Sequence, residues 1–174
     1  GTDVIGHING GHSSLPDDQI ICLCETCKSA FEIVHNGNER AAVLTVNTAR
    51  ELNKLDQVIL GTDGPAGSGV QPLGILRMIA MLSAFGNIPA SEAFCFGTGN
   101  TARQRNLDVG LIEAGYCADF VLLDQAQHAP GENMLASVEL GNLPGVGMTI
   151  IDGVIRTERS RNTPPAQRLR EQFI

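Results

Sequence analysis

Positive charge is scarce in this sequence: 12 Lys plus Arg stand against 19 Asp plus Glu, a net charge of -7 over 174 residues. So acidic a chain does not suit a polyanionic partner, which excludes nucleic acid. Long apolar runs are also missing. The longest, Gly74 to Phe85, is interrupted by Arg77 and falls short of the roughly 20 residues that span a bilayer, so no membrane association is expected. Cysteine is limited to Cys22, Cys24, Cys27, Cys95 and Cys117. That odd number, without the spacing of a disulfide scaffold, fits a reducing, cytoplasmic compartment. There is no solenoid-period repeat and no low-complexity tract. An initiator Met and a targeting segment are absent too. Gly1 opens almost directly into the strand-like Asp3-Val4-Ile5-Gly6, which suggests further residues upstream.

What is present centres on Val58 to Gly69, V-I-L-G-T-D-G-P-A-G-S-G. The apolar run Val58-Ile59-Leu60 stops at Gly61-Thr62 and presents a single acid, Asp63, ahead of a Gly- and Pro-containing loop. This reads as a buried strand delivering a carboxylate at its C-terminal end, where α/β barrels do their chemistry. Capping of the following turn by Asp63 is the structural alternative. The loop lacks a Lys and a GK[ST] ending, so it is not a phosphate loop.

Around this stretch the pattern alternates. A strand is expected over 2–8, ending at His7, then a helix over 16–27 with Ser14 as its cap and Asp17 and Asp18 in its first turn. A second strand, Ala30 to Val34, precedes a helix from Glu39 to Leu55 with apolar positions at Ala42, Val43, Val46, Ala49 and Leu52. The strand with Asp63 is followed by a helix from about Pro72 to Phe85. Three strand-helix pairs in succession are the signature of parallel βαβ units. A single helix is expected from Ser91 to Arg103. Beyond Leu107, strands are expected at Gly110–Gly115 and Ala118–Asp124, a short helix at Glu132–Leu140, and a hairpin over Gly147–Arg156 turning at Asp152-Gly153.

Two strand ends therefore offer metal-ligating side chains, His7 and Asp63. An imidazole and a carboxylate on different strands of one parallel sheet suit a borderline divalent cation. To these the sequence adds Thr98-Gly99-Asn100-Thr101-Ala102-Arg103, then Leu107-Asp108-Val109-Gly110-Leu111-Ile112-Glu113-Ala114-Gly115, then Ala118-Asp119-Phe120-Val121-Leu122-Leu123-Asp124. In that order, these segments resemble the amidohydrolase superfamily, whose members commonly run T-x-N-x-A-x-x-x-G-L-x-x-x-G-x-I-x-x-G-x-x-A-D-hydrophobic-D after the eighth barrel strand.

The resemblance implies an α/β fold: the C-terminal part of a (β/α)8 TIM-type barrel, about strands 6–8, plus strands of a small flanking β-sandwich. It assigns 1–106 to the partial barrel, 107–158 to the partial sandwich and 159–174 to a C-terminal tail. It makes His7 a metal ligand and Asp63 both a ligand and the catalytic acid-base. The cofactor implied is a divalent metal, zinc foremost, with iron or manganese as alternatives. Asn9, His12, His35 and Ser68, beside the strand ends, are the candidate substrate contacts. The pattern also asks for a His-x-His pair on the first strand, a carboxylated Lys or Glu on the fourth and a His on the fifth, and none of these positions lies in this chain.

A narrower likeness rests on His7-Ile8-Asn9-Gly10-Gly11, Pro72-Leu73-Gly74-Ile75-Leu76-Arg77 and Ser160-Arg161-Asn162-Thr163-Pro164-Pro165-Ala166. It points to members that hydrolyse a C–N bond and open a small cyclic amide of the tetrahydronicotinate lactam type. His12 and Tyr116-Cys117 depart from that pattern. Imidazolonepropionase-like and dihydroorotase-like chemistries stay open, as does a non-catalytic fragment that self-associates. Three of eight barrel units imply a fragment inactive alone, forming a homo-oligomer or pairing with a missing N-terminal half. Cys24-Glu25-Thr26-Cys27 is read as ordinary thiols, because no second pair completes a zinc site. His128 is expected in solvent, and Asp119 and Asp124 in turn or capping roles.

Overall fold

The computed structural model describes residues 1–11, 13–65 and 69–168. Its first half is three βα units: β1 (Val4–Ile5), α1 (Asp17–Thr26), β2 (Ala30–Val34), α2 (Glu39–Glu51), β3 (Val58–Gly61) and α3 (Gly74–Gly86). The strands are parallel and lie in the order β1-β2-β3. That order advances one strand at a time with no reversal, as successive strands of a barrel do.

Each strand buries the apolar residues that face the helices. Phe31, Ile33, Val58 and Leu60 share one core with Ile20 and Cys24 of α1, Ala42, Val46 and Ala49 of α2, and Met78, Ile79 and Leu82 of α3. Val43, expected on the inner face of α2, is half-exposed, and Ala41 and Thr45 take its place. Two basic residues at and just beyond the end of α2 cap its neighbours. Arg50 donates to the carbonyls of Gly86 and Asn87 at the end of α3, and Lys54 to those of Cys24, Glu25 and Cys27 at the end of α1. Cations there satisfy orphan carbonyls and oppose the helix dipole.

Several expected elements differ. Ser14 makes no cap; α1 begins after Pro16, whose carbonyl accepts from Gln19 and Ile20. The strand expected over 2–8 is cut to Val4–Ile5 because the backbone turns left-handed at His7, φ 59°. The single helix expected over 91–103 is two, α4 (Ala90–Phe96) and α5 (Gly99–Arg105). The break falls at Gly97, where a Cβ would lie 3.0 Å from Ile75 Cγ2 on α3. It redirects α5 beneath β3, where Asn100 donates to the carbonyls of Leu55 and Val58 at 2.9 and 3.1 Å.

The second sheet is antiparallel, in the order β4 (Phe120–Asp124), β5 (Gly145–Ile151), β6 (Val154–Thr157). Its hairpin turns at Asp152-Gly153 as expected, with φ of 57° and 73°, the pair of left-handed residues a type I′ turn requires. Gly110–Gly115 is not a strand. Gly110 has φ +77°, and a Cβ there would meet the Thr98 carbonyl oxygen at 2.8 Å, so the segment packs on the start of α5 instead of extending. Helix α6 (Met134–Glu139) leaves the second sheet to join the first core through Val138, and Glu139 accepts from the Ala90 N–H at 3.0 Å.

The residues after β6 run back across the second sheet. Ala166 bridges to Ala126, Thr163 Oγ1 accepts from Val146 N–H at 3.0 Å, and Arg168 forks onto Asp124 at 2.7 and 3.1 Å. Asp119 accepts from Asp152 N–H at 2.7 Å, the turn role expected of it. Among the described residues, no helix is long and apolar enough to cross a membrane.

Two outcomes follow from these contacts. Asn100→Ala is expected to lower stability by about 1–3 kcal/mol, the range for losing two partly buried amide bonds, measured by urea denaturation. The Arg168 guanidinium holds the Asp124 carboxyl below the usual aspartate range. A carboxyl depressed by folding stabilises the native state above its unfolded pKa, about 3.9, and loses that contribution as pH falls through the lower folded value. The difference in urea midpoint between the parent chain and Asp124→Asn is therefore expected to be full at pH 7 and to shrink below about pH 4.

Candidate active site

The ends of β1 and β3 turn toward one another. His7 and Asp63 are both left-handed, with φ of 59° and 53°. Their side chains meet over β2, His7 Nε2 lying 2.8 Å from Asp63 Oδ2, and remain 39% and 31% exposed. Neither strand neighbours the other in the sheet, so the two side chains close a gap of two strand spacings, roughly 9–10 Å.

The loops around the pair are stitched to the strand between them. Asn9 is buried, and its side chain acts as a piece of backbone: Oδ1 accepts from Val34 N–H at 2.9 Å and Nδ2 donates to the Val34 carbonyl at 2.9 Å. It thus continues the pairing of β1 with β2 after the turn at His7 has ended the ladder. Gly37 leaves room for it, since a Cβ there would lie 2.0 Å from Asn9 Nδ2. On the other side, Asn36 donates from Nδ2 to the Asp63 carbonyl at 3.0 Å, and His35 N–H donates to the Gly61 carbonyl at 3.1 Å. Both ends are thereby registered on β2.

His35 does not join the pair. Its ring lies 3.4 Å from Asn36 Oδ1 and lines a cavity of about 270 Å³ with Glu39, Arg77, Met81 and Phe85, beside α3. His12 and Ser68 lie outside the described residues. His128 is exposed in a loop, as expected. Cys24 is buried in α1, and burial pushes its thiol up to about 11, leaving it protonated and inert near neutrality.

The donor chemistry of the pair, one imidazole nitrogen and one carboxylate oxygen, suits zinc or a similar cation. It amounts to two ligands where a catalytic zinc takes at least three from protein. Among the described residues no group of three His, Cys, Asp or Glu comes together, so the pair fits part of a metal site and not a whole one.

Two residues not expected from the sequence stand beside the pair: Asn36, which registers the loop carrying Asp63, and Glu32, which faces away from the helix-side core and pairs with Arg105. Glu32 had a legible signal. It is the one charge within an otherwise apolar parallel strand, Ala30-Phe31-Glu32-Ile33-Val34, where buried strands run apolar without interruption.

Residues 17–156 match the Amidohydrolase family. Enamidase of Eubacterium barkeri is 35% identical over 166 residues, which are 95% of this chain and 43% of that protein. A 5-methylthioadenosine/S-adenosylhomocysteine deaminase of Thermococcus onnurineus is 31% identical over 134 residues, 71% of this chain and 32% of the deaminase. The crystal structure of enamidase superposes with a TM-score of 0.93 over 96% of this chain and 43% of its own, at 35% identity. The β-aspartyl dipeptidase of Fervidobacterium islandicum AW-1, at 17% identity and a TM-score of 0.58, covers 90% of this chain and 39% of its own, and shares the fold. The chain spans less than half the length of each of these proteins.

The stitching of the strand ends has a measurable cost when broken. Asn9→Ala leaves the buried Val34 N–H without its acceptor and is expected to destabilise by about 1–3 kcal/mol. Gly37→Ala, which forces Asn9 aside, is expected to do the same. Urea denaturation measures both, and loss of protection of the Val34 amide in hydrogen exchange localises the effect.

Proposed function

The chain belongs to the amidohydrolase family, and from that premise we propose that it corresponds to the C-terminal part of a metal-dependent hydrolase of C–N bonds in a small cyclic amide. The reading is enamidase-like: ring-opening hydrolysis of a tetrahydronicotinate-type lactam. The observation that carries it is the convergence of His7 Nε2 and Asp63 Oδ2, 2.8 Å apart, from the ends of two strands that are not neighbours.

Members of this superfamily generally depend on a divalent metal. A bound cation, zinc foremost and iron or manganese as alternatives, supplies Lewis acidity toward the amide carbonyl and lowers the pKa of a water. His7 Nε2 and the Asp63 carboxylate are the residues of this chain that would hold it. The remaining ligands would come from the part of the relatives' length that this chain does not span. Asp63 has a second task, because its carboxylate takes the proton of the attacking water and returns it to the leaving ring nitrogen. The left-handed turn before its loop and the bond from Asn36 to its carbonyl fix the direction from which it does so.

His12, His35 and Ser68 are the proposed substrate contacts. Asn9, first assigned with them, is better read as the residue that holds the strand end beneath His7, since its amide is engaged by Val34. The proposed division is 1–106 as partial barrel, 107–158 as partial sandwich and 159–174 as tail. The proposed partners are a small cyclic amide and either the N-terminal portion of such a hydrolase or further copies of this chain, in a cytoplasmic setting. The enamidase-like reading is preferred to adenosine-type deamination because the likeness to enamidase extends over 95% of the chain and that to the deaminase over 71%.

The test is a chimera in which this chain replaces the matching C-terminal 43% of the Eubacterium barkeri enamidase. The chimera is expected to open a tetrahydronicotinate lactam and to leave adenosine-type amidines untouched. Asp63→Asn is expected to lower its kcat by ~10²–10⁴-fold, and His7→Ala to lower bound zinc in elemental analysis. Unchanged turnover in a folded, metal-loaded Asp63→Asn chimera overturns the assignment.

A further inference from the structure

Beneath the His7–Asp63 pair, the face of the barrel sheet turned away from the helices carries one charge. Phe31 and Ile33 of β2 belong to the helix-facing core, so Glu32 between them points to the opposite face. It lies between two glycines of the outer strands, tightly at Gly61 and at ordinary contact distance at Gly6. A Cβ at Gly61 would lie 3.2 Å from Glu32 Oε1, and one at Gly6 would lie 3.4 Å from Oε2. Each carboxylate oxygen therefore faces a different outer strand, Oε2 toward β1's extension and Oε1 toward β3. The Glu32 carbonyl also holds the end of β1 by accepting from Ile8 N–H at 3.0 Å.

These are the positions from which the pair is hung. Gly6 immediately precedes His7, and Gly61 stands two residues before Asp63. The carboxylate is fixed from below by Arg105, the last residue of α5, which donates from Nη2 to Oε1 at 2.5 Å. Glu32 is 17% exposed at its side chain and Arg105 45%. A carboxylate so enclosed needs a partner to remain charged, and a guanidinium both supplies it and selects one rotamer. Helix α5 is itself tied under β3 by Asn100, so Arg105 is presented from a helix anchored to the start of that strand.

We propose that Glu32, held by Arg105, is a positioning residue for the His7–Asp63 pair: its carboxylate is a charged spacer that sets the separation of Gly6 from Gly61 and with it the approach of the two side chains across β2. The proposal rests on reading that pair as the reactive site, but the geometry it describes is measured without metal or substrate.

The experiment uses the 174-residue chain, metal-free and labelled with ¹⁵N-histidine. Long-range ¹H–¹⁵N correlation reports the ring nitrogens of its four histidines, and His7→Gln assigns the signals of His7. Asp63→Asn gives the reference shift for a ring that has lost its carboxylate. Glu32→Gln and Arg105→Gln are each expected to move the His7 signals in that same direction while those of His128 stay in place.

A merely structural ion pair would lower the melting midpoints and leave the His7 signals of the folded variants where they are in the parent, and that result overturns the proposal. If Arg105→Gln does not fold, Glu32→Gln decides: unmoved His7 signals in the folded variant overturn the proposal and a shift upholds it. Lactam opening by the chimera is read separately. A chimera without activity combined with responsive His7 signals removes the functional reading alone, and an active chimera with unresponsive signals removes the positioning role alone.

Discussion

Everything at this site depends on a reach across one strand. His7 and Asp63 belong to β1 and β3, with β2 between them, and their side chains nevertheless meet at 2.8 Å. A continued extended strand alternates its side chains between the two faces. Both chains instead break into the left-handed region, His7 at φ 59° and Asp63 at φ 53°. Left-handed backbone is uncommon outside glycine and is most often tolerated by Asn, Asp and His. The residue types that suit the chemistry are thus also among those that suit the turn.

The reach has consequences on every side of it. Ending β1 at Ile5 removes ladder bonds, and the Asn9 amide supplies two in their place, to the N–H and the carbonyl of Val34. That substitution forces a glycine at position 37. Below, the space between the strands is filled by one carboxylate, and the carboxylate is balanced by an arginine from a helix that Gly97 and Thr98 have redirected beneath the sheet. The motif segment Thr98 to Arg103 and the strand-end residues, far apart in sequence, are in this way parts of one assembly. Helix α6 and the second sheet contribute by packing: Val138 enters the same core, and Asp124 with Arg168 fastens the returning chain.

The elements that sequence periodicity resolves well are the long ones. Helices α1, α2 and α3 and strands β2 and β3 fall within a few residues of their expected bounds because burial on one face writes a repeat into the sequence. The Asp152-Gly153 hairpin was legible from turn chemistry alone. The misjudged elements were those decided by tertiary contact. The 91–103 segment has helical composition throughout, and what breaks it is the close approach of Ile75 to Gly97. The strand expected at Gly110–Gly115 has strand-like residues, but left-handed glycines bound it. Of the site, His7 and Asp63 were legible as strand-end residues of metal-binding type, and the structure brings them together. Asn9 was legible as important but not in its role, because a buried amide paired with backbone and an amide facing substrate look alike in sequence. Glu32 was visible as a charge in an apolar strand, and only its glycine neighbours in space reveal what it touches.

The most direct measurement is anomalous scattering at the zinc edge from crystals of the enamidase chimera containing this chain. A peak at roughly 2.0–2.2 Å from both His7 Nε2 and an Asp63 carboxylate oxygen, replacing the direct bond between them, is the expected result. A zinc peak held by other residues, with His7 and Asp63 still hydrogen-bonded to each other, would contradict the assignment of the pair as this chain's contribution to a metal centre.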